Sequence, residues 1–176
     1  MKAKCISFLI IAIIAMSALG LTNAPIETKQ YLRLHVRANS NSQIDQDIKY
    51  QVKDAVVNYL TPFISECDSH EKAENMLLAR LKGIEKVADS VLEQNGFSYR
   101  AKASVKVENF PTRFYGNLTL EEGFYKALII NLGSGEGDNW WCVVYPPLCF
   151  TGSNSPIKYR SKILDIINSF IKGESK

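Results

Sequence analysis

The stretch YLRLHVRANSNSQIDQDIKYQVKDAVVNYL, Tyr31 to Leu60, changes its hydrophobic period midway, and that change decides the fold class. Through YLRLHVRA, apolar and polar side chains alternate. Leu32, Leu34, Val36 and Ala38 take one face while Tyr31, Arg33, His35 and Arg37 take the other, the period of a half-buried strand. The NSNS that follows supplies turn residues and then a helix N-cap at Asn41 or Ser42. From about Gln43 to Leu60 the spacing becomes three and four, with Ile44, Ile48, Val52, Ala55, Val56, Tyr59 and Leu60 on one stripe. Asp45 and Asp47 in the first turn favour the helix dipole, and Pro62 opposes simple continuation.

A second amphipathic helix begins near Ser69, whose hydroxyl can cap it. Its apolar face is Ala73, Leu77, Leu81, Ile84, Ala88, Val91 and Leu92, and the QNG at Gln94–Gly96 stops it. Two such helices need a common surface to cover. YRAKASVKVENF, GFYKALIINLG and the shorter WWCVVY read as strands that supply it. The expected fold is therefore α+β, a helical pair packed on a small, mostly antiparallel sheet in a single domain. Ser161–Ile171, in a C-terminal tail spanning 151–176, adds a terminal amphipathic helix with Ile163, Leu164, Ile166, Ile167 and Phe170.

Upstream of residue 31 the chain differs in kind. Lys2 and Lys4 precede CISFLIIAIIAMSALGL, seventeen uncharged residues from Cys5 to Leu21, the pattern of a basic region followed by the apolar core of an export signal. Residues 1–24 are read as that signal, cleaved after Gly20 or Ala24 or else retained as an anchor, and 25–30 as a linker to a domain at 31–150. Loss of Lys2 and Lys4 with the signal reduces 21 basic residues to 19 against 18 acidic ones, net +1. So even a balance gives no general reason to expect nucleic acid as a partner.

Export also sets the cysteine chemistry. Cys5 would leave with the signal, and in an oxidising compartment Cys142 and Cys149, seven apart around YPPL, are the natural disulfide pair. Cys67 is then either a buried small apolar residue or free for an intermolecular bridge. Trp140 and Trp141, as neighbours on a strand, must point to opposite faces, so one can enter the core while the other meets solvent, a covering loop or a partner.

Candidate catalytic chemistry is sparse. The two histidines, His35 and His70, have no metal-type spacing to each other or to cysteine, so neither a metal site nor a cofactor is expected. GSGEGDN, Gly133–Asn139, lacks the order of a phosphate loop and reads as a flexible turn between strands. NFPTRFYGN, Asn109–Asn117, is expected to be a loop in which either Arg113 and Tyr115 contact a partner, because arginine and aromatic residues concentrate binding energy, or Phe110 and Phe114 pin the loop to the core and Arg113 is solvated. Arg33 and His35 form a second candidate patch. The rival reading from another class is an exported wall hydrolase using carboxylates such as Glu136 and Asp138, and a third is a structural envelope protein.

Taken together, RLHVRANSNSQIDQ (33–46), KYQVKDAV (49–56), FPTRFYGN (110–117) and GFYKALIINLGSGEGDNWWCVVYPPLCF (123–150) resemble the stage II sporulation protein R family. The blocks keep their order over roughly residues 31–150, and NWWCV and PPLC are the most distinctive. The resemblance implies a signalling protein rather than an enzyme, with no small-molecule substrate. It would be exported from the forespore into the space between the two membranes that separate it from the mother cell. There it would activate a membrane-embedded aspartic protease of the mother cell, which processes the precursor of the early mother-cell sigma factor.

Overall fold

The computed structural model describes residues 30–116, 118–150 and 157–172, with side chains in the last segment described from residue 162. The export signal, nearly all of the linker and the start of the tail lie outside the described residues. Among the described residues, no helix is long and apolar enough to cross a membrane.

The chain runs β1 (Leu32–Arg37), α1 (Gln43–Ile64), α2 (His70–Gln94), β2 (Ala101–Phe110), β3 (Arg113–Tyr115), β4 (Leu118–Leu120), β5 (Gly123–Leu132), β6 (Asn139–Tyr145), a 3-10 turn (Leu148–Phe150) and α3 (Ile157–Ile171). Four strands form one sheet in the order β2-β5-β1-β6, and β3 and β4 form a separate hairpin. β1 is parallel to β5 and antiparallel to β6, while β2 is antiparallel to β5. The expected architecture is the one observed: a helical pair on a mostly antiparallel sheet, followed by a C-terminal helix.

The capping residues place both long helices. Ser42 accepts a hydrogen bond from the Asp45 amide at 3.3 Å and Ser69 one from the Lys72 amide at 3.2 Å, each satisfying an N–H that the helix leaves unpaired. At the end of α2, Gly96 takes φ 78° and the Phe97 amide returns to the Leu92 carbonyl at 3.0 Å, a left-handed stop that only glycine adopts without strain. α1 runs to Ile64 rather than ending near Leu60. Pro62 falls in the last turn, where a missing amide costs a single ladder bond, and the Thr61 hydroxyl donates to the Val57 carbonyl at 2.7 Å beside it.

Leu32, Leu34, Val36, Leu128, Ile130, Leu132 and Val144 form the helix-facing side of the sheet. They meet Ile48, Val52, Val56, Leu60 and Ile64 of α1 and Ala73, Leu77, Ile84, Ala88 and Leu92 of α2. Each large side chain buried here contributes roughly 1.5–3 kcal/mol of transfer free energy. Ile44, expected on the buried stripe, is 63% exposed, because the buried face of α1 begins at Asp45 and continues through Ile48, Lys49 and Val52, which leaves Ile44 beside it. On the edge strand β2 the outward amides of Ala101 and Ala103 are taken by Asp89 at 2.7 Å and Glu85 at 3.1 Å, so α2 blocks the start of an edge that could otherwise recruit another strand. The terminal helix buries Ile163 and Ile167 and sets Phe170 against Tyr31 and Tyr145 at ring separations of 5.8 and 5.6 Å.

Cys142 and Cys149 are disulfide-bonded, with their Cα atoms 6.0 Å apart, and Cys67 is a free, buried cysteine in the main core. Closing this short loop restricts the unfolded chain, so replacing both cysteines by serine is expected to lower the free energy of unfolding by about 2–3 kcal/mol. Urea unfolding under non-reducing conditions checks this. Reductant should then shift the midpoint of the original protein and leave that of the variant in place.

Candidate protein-binding face

The sheet's second face, opposite the helices, gathers most of the candidate contact residues. Pairing of β1 with β5 and β6 aligns Arg33 with Ala127 and Val143, and His35 with Ile129 and Trp141. The alternation of YLRLHVRA is therefore real, but the polar side is not solvated. Arg33 is 0% exposed and His35 is 5% exposed, so the expected half-buried strand is covered on both faces. Polarity alternates along this strand while exposure does not, because aromatic rings and the β3–β4 hairpin cover the charged side chains.

Arg33 illustrates how. Its guanidinium lies over the rings of Phe110 at 4.5 Å, Tyr125 at 5.0 Å and Tyr115 at 5.6 Å. Nε donates to the Cys142 carbonyl at 3.3 Å and Nη2 to the Tyr115 hydroxyl at 2.9 Å. Nη1 is shielded and has no hydrogen-bond partner among the described residues. Burial pushes the affinity of Arg33 for its proton down, with the neighbouring Arg113 charge acting in the same direction and Tyr115 and Tyr125 opposing. Burial likewise pushes the Tyr115 phenol up.

His35 sits in a polar relay. Arg37 Nη2 donates to both carboxylate oxygens of Glu108 at 2.8 Å, and its Nε lies 3.4 Å from His35 Nε2. Nε2 therefore accepts, and Nδ1–H donates to Glu108 at 3.1 Å. Burial lowers the His35 pKa, against the hydrogen bonds to Asn139 and Glu108 that raise it, and burial also lowers that of His70. A histidine held neutral in the fold stabilises above its unfolded pKa of about 6.5, and that stability is lost as pH falls through this value towards the folded one. Unfolding free energy should thus decline as pH falls below about 6.5, and His35→Gln with His70→Gln should flatten the decline. Urea titrations at each pH measure both slopes.

The tryptophans part as strand geometry requires. Trp140 packs on the helical side beneath the Lys53 ammonium, 5.2 Å from its ring, while Trp141 faces the other way against His35 at 5.5 Å. Both are half-buried. The Arg113 guanidinium lies 4.0 Å over the Trp141 ring. NFPTRFYGN, expected as a loop, is partly the β3–β4 hairpin: Arg113 pairs with Leu120 and Tyr115 with Leu118 across a turn in which Gly116 has φ 60°. Its proline and glycine signalled a loop while the short alternation of RFY and LTL set strands. Arg113 and Tyr115 project from one side onto the sheet, and Phe114 projects from the other, 76% exposed.

The structure thus brings Arg33, His35, Arg113, Tyr115 and Trp141 together and leaves Trp140 on the opposite side. Two further members are Phe110, which is buried as the pinning alternative has it, and Glu108, which the sequence did not single out. Their signal was their spacing at the end of β2, two apart and therefore on one face of the strand.

The loop GSGEGDN is a turn between β5 and β6, as expected, but it is tied down. The Ser134 amide donates to Asn39 Oδ1 at 3.0 Å, the Asp138 amide to Asn41 Oδ1 at 2.6 Å, and buried Lys49 donates to the Asp138 carbonyl at 3.0 Å. Glu136 and Asp138 have exposed side chains on that turn. An open groove along α2, lined by Lys82, Glu85, Lys86, Asp89, Glu93 and Arg100 among others, includes neither of them. Among the described residues no group of three or more His, Cys, Asp and Glu side chains could hold a metal ion.

Comparison with known proteins places this geometry in context. The family described as Stage II sporulation protein R matches residues 28–155. A curated relative, "Stage II sporulation protein R" of Bacillus subtilis (strain 168), is 38% identical over 121 residues, covering 69% of this chain and 54% of the relative. The chain therefore spans about half the length of the curated relative it matches. No solved structure matches.

Proposed function

The chain belongs to the stage II sporulation protein R family, and from that premise we propose that it is an exported signal of sporulation that switches on a membrane-embedded aspartic protease of the mother cell. In this reading the protein crosses from the forespore into the intermembrane space under the direction of its N-terminal apolar segment. It then binds the extracytoplasmic part of the protease, and the activated protease processes the precursor of the early mother-cell sigma factor. The signal supplies binding free energy and no chemistry. It must prefer the active arrangement of the protease over the inactive one, since equal affinity for both would shift nothing.

The observation that carries the reading is the second face of the sheet, where a hairpin presents Arg113 over half-buried Trp141 and holds Phe114 outward. Arginine and tryptophan on an ordered scaffold, beside an exposed phenylalanine, have the composition of an interface hot spot. The test is reconstitution: the chain, its cognate protease and the sigma precursor are co-produced in a non-sporulating host. Precursor cleavage should require all three components, and cleavage that proceeds without this chain would overturn the reading.

A further inference from the structure

We infer that the cluster formed by Arg33, Arg113, Tyr115 and Trp141 captures a carboxylate, the acidic side chain of a partner protein. This rests on the reading of the chain as a protein that acts by binding another.

The cluster holds positive charge without a counter-ion. A buried guanidinium is ordinarily paired with a carboxylate, because removal from water is costly when its donors are not all satisfied. Arg33, 0% exposed, instead donates to a carbonyl and a phenol and leaves Nη1 without a partner among the described residues. Arg113 donates to the carbonyl of the preceding residue, Thr112, at 3.1 Å. Glu108, the carboxylate of β2 on this face, is already held by Arg37 at 2.8 Å and His35 at 3.1 Å. Among the described residues neither Arg33 nor Arg113 forms an ion pair.

The shape suits a carboxylate. A guanidinium offers a planar fork that meets two carboxylate oxygens at once, and the ring of Trp141 beneath Arg113 keeps that fork flat and partly out of water. The β3–β4 hairpin shares no ladder with the four-stranded sheet, and Tyr115 is held over Arg33 by side-chain contacts. A protein side chain fits better than a free anion, because the half-buried ring of Trp141 lies against Arg113. That ring would meet apolar neighbours of an acidic residue and would have nothing to contact on an inorganic ion.

The test titrates the full chain, as exported, with acetyl-Phe-Glu-Phe-amide, with its Gln counterpart and with inorganic phosphate, following tryptophan fluorescence and arginine side-chain NMR signals. The Glu peptide should bind at least about tenfold more tightly than the Gln peptide, a preference that Arg113→Gln removes. Equal affinity for the two peptides, no response to either, or tighter binding of phosphate than of the Glu peptide would each overturn the inference. Arg113→Gln is also placed in the three-component reconstitution. If it drives processing as well as the original chain, the carboxylate site is wrong and the signal function stands. If the original chain drives no processing yet discriminates Glu from Gln, the carboxylate site stands and the proposed function fails.

Discussion

Asp45→Ala is expected to lower the free energy of unfolding by about 3 kcal/mol, one of the largest losses available to a single truncation outside the apolar core. Asp45 is 5% exposed, and its carboxylate accepts from Ser40 Oγ at 2.6 Å, Tyr99 Oη at 2.6 Å and Asn39 Nδ2 at 3.0 Å. Burial alone would raise its pKa. The hydrogen bonds from Ser40, Tyr99, Asn39 and Ser42 outweigh that and hold it below the usual carboxylate range, while Tyr99, buried against the same charge, is pushed well up. Truncation leaves three donors without their acceptor. It also loosens Asn39, whose Oδ1 accepts from the Ser134 amide and so fastens the β5–β6 turn to the start of α1. A depressed carboxylate contributes stability above its unfolded pKa of about 3.9 that is lost as pH falls through the folded value. Urea unfolding of Asp45→Ala should therefore show both a lower midpoint near neutrality and a shallower loss in acid. An unchanged midpoint would mean that the cluster is solvated.

Arg33→Met is expected to separate folding from signalling. Methionine fills much of the same space among Phe110, Tyr115 and Tyr125 and removes a buried charge that no carboxylate compensates, so unfolding free energy should hold or rise by about 1 kcal/mol. Precursor processing in the reconstituted host should nevertheless fall by at least about tenfold, because the partner loses a charged contact. Arg33→Ala removes the same donor to Tyr115 but also opens a cavity that methionine would fill, and should destabilise by about 2–4 kcal/mol. If Arg33→Met lost stability to the same degree as Arg33→Ala, the guanidinium would be a structural element rather than one held for binding.

Much of this was legible in the sequence. The change of period between HVRA and QIDQ placed β1 and α1, the Ser42 and Ser69 caps and the QNG stop bounded the helices, and adjacency alone sent Trp140 and Trp141 to opposite faces. Export chemistry picked the Cys142–Cys149 pair. Other features depend on tertiary contacts that periodicity does not encode. Arg33 and His35 look solvated because they are polar, yet residues 75 or more positions away in the chain, Phe110 and Tyr115 among them, bury them. Asp45 reads as a dipole-friendly first-turn acid, and only the approach of Tyr99 makes it a hub. The hairpin at Arg113–Leu120 hides behind Pro111 and Gly116, whose turn signals mask two short strands.

Crosslinking distinguishes which face of the molecule meets the protease. A photo-crosslinking phenylalanine analogue at Phe114, on the hairpin, and another at Leu78, 47% exposed on α2, sample opposite sides of the sheet. In the reconstituted system the probe at Phe114 should capture the protease and the probe at Leu78 should not. Capture from Leu78 with none from Phe114 would contradict the account.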